Sequence, residues 1–285
     1  MPYARSDLQK YWRLYRVKGW LHFLGLTLLG FFMANQSVIA ELWPAVLIAG
    51  LYLAHVYAIN NYFDRQLDLK LDKNPLAGKN EASLRFLAAS IVPAVFAVVL
   101  TFRMDSSRVL LIASGIIAST FYSVPPLRLK VTAFIGFMLN ALIFAPLFLL
   151  GWVTGGGGWR EGLPPMLFFS IPVLIMQVLH EMADINEDRR AKIKTIGMST
   201  GHARQLIVFL FLSMWGFTGW LVGKPYFPEL MWVPVSSYAI IGITVSWLSW
   251  RQNFSPAGLR LAMRWLTVGF GLAALIMSLP DFVIV

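Results

Sequence analysis

The sequence predicts an all-α integral membrane protein, nine transmembrane helices in a single bundle, and three observations carry that expectation. Of its 285 residues 58% are hydrophobic and 13% charged, where a soluble domain has about a quarter charged. The mean hydropathy of +0.65 asks for more apolar interior than a globule of this size possesses, so the surrounding solvent must be lipid. Charged residues also interrupt the chain at a regular beat. They leave stretches free of Asp, Glu, Lys and Arg at 19–40, 42–63, 86–102, 109–127, 131–159, 162–180, 205–223, 230–250 and 265–280.

A hydrocarbon core about 30 Å thick needs roughly 20 helical residues, with about 17 to 25 tolerated. The first span follows a basic head and contains Ala34 and Ala40, as a secretory signal would, but its charge-free run exceeds a signal core of about 7 to 15 residues. The second and sixth spans each run into an acidic segment. The fifth ends in the run Gly155 to Gly158, which reads as a flexible turn. The ninth is completed by its flanks. Transmembrane strands would instead show stretches of about ten residues alternating in polarity, and the sequence has none. No linker or low-complexity segment divides the chain, so residues 1–285 are expected to form one domain.

Basic residues give the orientation. Of the 24 lysines and arginines, only Arg103, Arg108, Arg160 and Lys224 fall on one side of a nine-span arrangement. Positive residues stay cytoplasmic, so the N-terminus is expected inside and the C-terminus outside. The net charge of +10 is then explained by the membrane, without nucleic acid. The absence of cysteine excludes disulfides, thiolate metal sites and a cysteine nucleophile.

The polar residues gather at one boundary. Asn60, Asp64, Asp68 and Asp72 recur every four residues, and on a continued helix they would project from one face about 6 Å apart. Asp184 and Asp188 end the sixth span in the same way, with Glu181 close by, and lie 120 residues after Asp64 and Asp68. Two facing acidic helices approach only with cations between them, and carboxylates beside hydrocarbon are usually kept for function. Hard oxygen ligands select Mg²⁺, which is normally shared with substrate phosphates. This points to a phosphorylated, lipid-like substrate. On the same side, Phe121-Tyr122-Ser123-Val124-Pro125-Pro126-Leu127-Arg128-Leu129-Lys130 presents two cations on a proline-fixed turn. Arg189, Arg190, Lys192 and Lys194 follow the second acidic segment. His22, His55 and Asn140 read as interhelical hydrogen-bonding groups.

Here the sequence resembles the UbiA superfamily of intramembrane prenyltransferases. Asn60 to Asp68 is similar to that family's N-D-x-x-D-x-x-x-D motif, Asp184 to Asp188 to its D-x-x-x-D motif, and Tyr122 to Lys130 to the loop between them. The resemblance implies Mg²⁺-dependent transfer of a prenyl group from an isoprenoid diphosphate to a lipophilic acceptor, at the cytoplasmic face of a multi-pass protein of the cell (inner) membrane. Asn60, Asp64, Asp68, Asp184 and Asp188 would hold the metal. Tyr122, Arg128, Lys130, Lys192 and Lys194 would bind the departing diphosphate, and His180 with Glu181 would orient the acceptor. Aromatic or quinone precursors and prenylated glycerol phosphate lead the acceptors expected, with carotenoids, chlorophyllide and haem also used in the superfamily. A membrane terpene cyclase with the same metal site is a related reading. An ion-coupled transporter is another, but it would carry its ionisable groups near the bilayer midplane. One position departs from the motif: Asn61 stands where the family usually has Asp. Lying one residue off the face of Asn60, it is expected to make a neighbouring hydrogen bond, and Asn61→Asp to lower the Mg²⁺ requirement.

Overall fold

The computed structural model describes residues 7–34, 39–68, 74–79, 83–190, 194–252 and 255–279. All regular structure among them is helical: α1 (Asp7–Tyr15), α2 (Val17–Trp20), α3 (Leu24–Met33), α4 (Leu42–Asp64), α5 (Leu84–Thr101), α6 (Ser106–Ser123), α7 (Ala133–Thr154), α8 (Trp159–Ala183), α9 (Ile185–Arg190), α10 (Thr200–Leu221), α11 (Trp232–Arg251) and α12 (Pro256–Met277). Among the described residues, 7 helices (α4, α5, α7, α8, α10, α11 and α12) are long and apolar enough to cross a membrane.

The two other expected spans take different forms. Residues 19–40 do not make one continuous helix. Arg16 adopts a left-handed conformation (φ 49°), and a 3₁₀ turn at Leu21–Phe23 separates α2 from the ten-residue α3. The expected span at 109–127 ends at Ser123, because Pro125 forces Val124 into extended backbone (φ −94°, ψ 128°). That helix, α6, is 18 residues long, and its five serines and one threonine make it less apolar than the others.

The acidic ladders also differ from a continued helix. α4 stops at Asp64, and a single further turn follows in which the N–H groups of Leu67 and Asp68 both donate to the Asp64 carbonyl. Asp72 lies outside the described residues. α8 stops at Ala183 with Asp184 as its C-cap, α9 restarts at Ile185, and the Asp188 N–H donates to the Asp184 carbonyl at 3.0 Å. Stacked carboxylates repel one another and oppose the negative end of the helix dipole, so each helix gives way where its acids begin.

Two apolar clusters build the bundle. One centres on Ile48, Tyr52, Ile112 and Leu147, from α4, α6 and α7. The other centres on Phe148, Phe168, Phe211, Tyr238 and Phe270, from α7, α8, α10, α11 and α12. Helix α7 serves both, and α3 lies along it at glycine distance. A Cβ on Gly30 would collide with the Phe148 carbonyl oxygen, and one on Gly151 with the Thr27 carbonyl oxygen. In lipid, where no hydrophobic effect drives helices together, such close backbone packing supplies the attraction. Gly151→Val should therefore separate α3 from α7 and destabilise the bundle by about 1–3 kcal/mol, read as a lowered unfolding temperature in detergent.

Candidate active site

The ends of α4 and α8 meet at one end of the bundle around a cavity of about 150 Å³. Asn60, Asp64 and Asp68 line one wall, and His180, Glu181, Asp184 and Asp188 the other, with Tyr122 and Lys130 between them. Both acidic segments predicted from the sequence thus face a common space. Among the described residues no three carboxylate or imidazole groups close on one point as a ready-made metal cage.

The loop from Val124 to Thr132 folds back over the end of α4. Arg128 takes a left-handed conformation (φ 36°), and its Nη2 donates to Asp64 Oδ1 at 2.6 Å. The Lys130 ammonium lies against both Asp64 carboxylate oxygens and donates to Asn60 Oδ1 at 3.1 Å. Ser123 Oγ donates to the same Asn60 oxygen at 3.2 Å, and the ammonium stands 5.9 Å from the centre of the Tyr122 ring. Burial holds the Lys130 pKa below the usual lysine value, and the Asp64 carboxylate opposes that shift.

Each other acid has a partner of its own. Asp68 Oδ2 accepts from Asn74 Nδ2 at 2.8 Å. Asp188 Oδ2 accepts from Thr195 Oγ1 at 3.3 Å. Glu181, nearly enclosed, accepts from Gln177 Nε2 at 2.9 Å and from the Gly197 N–H at 3.1 Å. It ties the 3₁₀ turn Ile196–Met198 beneath α8, which gives it a structural attachment beyond the expected contact with acceptor. His180 Nδ1 accepts from Arg260 Nη1 at 2.6 Å, which leaves its Nε2 to carry the ring proton 3.5 Å from Asp184 Oδ2. Arg260 itself lies 3.7 Å from Asp184 Oδ1.

Of the cations expected at the diphosphate, Lys130 lines the cavity, Arg128 is outside its lining but bonds Asp64, Lys194 is exposed and outside the lining, and Lys192 lies outside the described residues. Two arginines were not singled out from the sequence. Arg16 lines the cavity, its guanidinium 5.5 Å from the Tyr57 ring centre, and Arg260 reaches Asp184 from α12. Both read in the sequence as ordinary positive-inside residues, and only the backbone break at Arg16 and the packing of α12 on α8 bring them here. The interhelical reading of His55 holds: its Nδ1 pairs with the Ser90 carbonyl at 2.8 Å across α4 and α5.

Asn61 turns away from this cavity. Its side chain is fully buried and Nδ2 donates to the Leu14 carbonyl at 2.8 Å, while the Asn61 backbone carbonyl accepts from Asn74 Nδ2 at 2.8 Å. The amide joins α1 to α4 and is a donor, so the expectation that a carboxylate here would improve Mg²⁺ binding gives way: Asp would set acceptor against acceptor.

A multi-pass helical membrane bundle with two carboxylate-bearing helix ends and loop cations around one cavity defines a class of membrane enzyme that handles anionic lipid-like substrates. Residues 23–277 match the UbiA prenyltransferase family, and the chain belongs to that family and is a prenyltransferase. It is 29% identical over 206 residues to the lycopene elongase/hydratase of Halobacterium salinarum, covering 68% of this chain and 72% of that protein. To the lycopene elongase/hydratase of Haloarcula japonica it is 26% identical over 252 residues, covering 82% and 81%. Its fold is similar to a UbiA homolog from Archaeoglobus fulgidus solved with GPP and Mg²⁺ (TM-score 0.75, 20% identity, 93% of this chain and 99% of that one). It is also similar to a structure of digeranylgeranylglyceryl phosphate synthase (TM-score 0.74, 14% identity, 95% and 98%).

Asn61→Asp should lower stability by about 1–3 kcal/mol, the cost of an unsatisfied buried polar group, while leaving the Mg²⁺ concentration for half-maximal rate unchanged. Thermal unfolding and a Mg²⁺ titration on the same preparation check both halves.

Proposed function

We propose that the protein transfers a prenyl group from an isoprenoid diphosphate, bound with Mg²⁺, to a carbon–carbon double bond of a long polyene acceptor of the lycopene type. The observation that carries the reaction is the convergence of Asp64 and Asp184, 120 residues apart in sequence, on one cavity capped by Lys130. The acceptor class is supported by the name shared by the two curated relatives, and we favour it over aromatic acids and glycerol phosphates on that ground.

The donor set fits the metal: Asn60, Asp64, Asp68, Asp184 and Asp188 present only oxygen to the cavity, and Asp64 and Asp184 stand on opposite walls of it. Bound there with diphosphate, Mg²⁺ would supply neutralisation of the charge that grows as the C1–O bond breaks. Arg16 and Lys130, which line the cavity, and Arg128 beside Asp64 would bind the departing diphosphate oxygens. The Tyr122 ring, on the cavity lining, would help to keep water from the allylic cation. The acceptor's π electrons form the new bond to C1, and the cation left on the acceptor ends by losing a proton or adding water.

The orientation proposed is the one that the basic residues favour, with nine membrane passages, the N-terminus and the cavity facing the cytoplasm, and the protein in the cell's inner membrane. Topology reporters after Lys79 and Lys194 should both read cytoplasmic, and one after Gly157 external. Opposite readings at Lys79 and Lys194 would overturn it.

The reaction is tested by incubating purified protein with labelled prenyl diphosphate, Mg²⁺ and lycopene. Diphosphate release with an extended polyene supports the proposal. Release with a cyclic hydrocarbon and no acceptor incorporation identifies a cyclase, and no release refutes the donor and acceptor proposed. Asp64→Ala or Asp184→Ala should leave the protein inserted while lowering diphosphate release by at least about a hundredfold. Near-normal turnover in either variant would refute the metal-site assignment.

A further inference from the structure

Asp64 is already paired with cations of the chain itself. Lys130 occupies both of its oxygens and Asn60 Oδ1, and Arg128 shares Oδ1. These are the oxygens that a divalent ion would take under the function proposed above, on which this inference rests. An ammonium seated on the Asp64 and Asn60 oxygens and a metal ion cannot hold those oxygens at once.

We propose that Lys130, assisted by Arg128, is a tethered counter-cation: it neutralises Asp64 in the resting site and passes to the diphosphate oxygens when metal and diphosphate enter. Burial requires that Lys130 have an anionic partner throughout. Its side chain is 10% exposed and that of Asp64 11%, so an unpaired charge on either would be costly. The diphosphate is the incoming group that gives the lysine a second anion as the metal takes the first. Both cations belong to the short segment between α6 and α7, and a lysine's flexible four-carbon stem lets its charge change partners while the backbone stays in place.

The exchange makes metal and diphosphate binding cooperative through one side chain, with consequences opposite in sign to those of a simple substrate-binding lysine. Removing Lys130 frees Asp64 and Asn60, so metal should bind more tightly in the absence of diphosphate. Removing the Asp64 charge frees Lys130, so diphosphate should bind more tightly in the absence of metal. Reciprocity of this kind is required of any coupling between two ligands. A lysine that only binds diphosphate would leave the metal affinity alone, and a merely structural one would weaken both ligands when replaced.

The test uses the full chain in detergent, with Mn²⁺ binding followed by electron paramagnetic resonance without diphosphate, and inorganic pyrophosphate binding followed calorimetrically in EDTA. Lys130→Met should tighten Mn²⁺ about tenfold, and Asp64→Asn should tighten pyrophosphate about fivefold. Arg16→Met, a cavity cation stacked on Tyr57, reports the through-space effect of losing one positive charge and should change Mn²⁺ affinity by no more than about twofold. Mn²⁺ affinity in Lys130→Met equal to or weaker than that of Arg16→Met overturns the counter-cation role. The metal site itself survives that result if Asp184→Asn still abolishes Mn²⁺ binding. Failure of the wild-type protein to bind Mn²⁺ with or without pyrophosphate overturns the metal-site reading and this inference with it. Should Lys130→Met not assemble, the Asp64→Asn arm decides: unchanged or weaker pyrophosphate binding refutes the exchange.

Discussion

An ionised carboxylate beside hydrocarbon persists only if a cation or several donors are supplied to it, and the polar end of this bundle is organised around that requirement. Asp64 is a demanding case, buried to 8% relative exposure where α4 gives out. The loop that follows α6 bends back through a left-handed residue to bring Arg128 and Lys130 onto it. Asp184, at the equivalent end of α8, is met instead by His180 and by Arg260 from α12. Asp68 and Asp188 accept from Asn74 and Thr195 among their partners. The two halves of the bundle thus answer the same requirement with different chemistry. The Asp64 half is held by mobile-stemmed cations and the Asp184 half by an imidazole and a guanidinium.

The apolar body of the protein sets where those ends lie. Helix α7 contributes to both apolar clusters and so links the half that carries the α4 end to the half that carries the α8 end, and α3 packs on α7 through glycines that admit no side chain. A site that develops charge during reaction needs preorganised groups, and the acids, borne on the ends of long packed helices, meet that need. Three of the four cations come from shorter segments, the loop after α6 and the break between α1 and α2, while Arg260 stands in the first turns of the long α12. Fixed anions and adjustable cations suit a reaction in which a diphosphate must be gripped and then released.

Asn61 illustrates how a motif position acquires meaning only in context. It stands inside an acid-rich segment, one residue from Asn60, yet its amide hydrogen-bonds Leu14 on α1 and takes no part in the cavity. A helix turns about 100° per residue, so adjacent residues serve different neighbours. The identity at this position follows from what α1 offers, a carbonyl that needs a donor.

The sequence by itself determined the class of the protein, because hydropathy and charge spacing are properties of the chain that lipid reads directly. Its four-residue spacing and equal separation also pointed to two acidic segments sharing one site with the Tyr122 to Lys130 loop, and in the structure they line one cavity with Tyr122 and Lys130. Tertiary structure decided the rest. Where α4 and α8 stop depends on repulsion and dipole effects balanced against packing, and local periodicity carries no sign of that balance. That residues 19–40 break into α2, a 3₁₀ turn and α3 follows from the contact with α7. That Arg16 and Arg260 face the acids while Lys194 does not follows from which helices pack on α4 and α8, because basic residues at a membrane boundary look alike until a fold brings one of them within reach of a carboxylate.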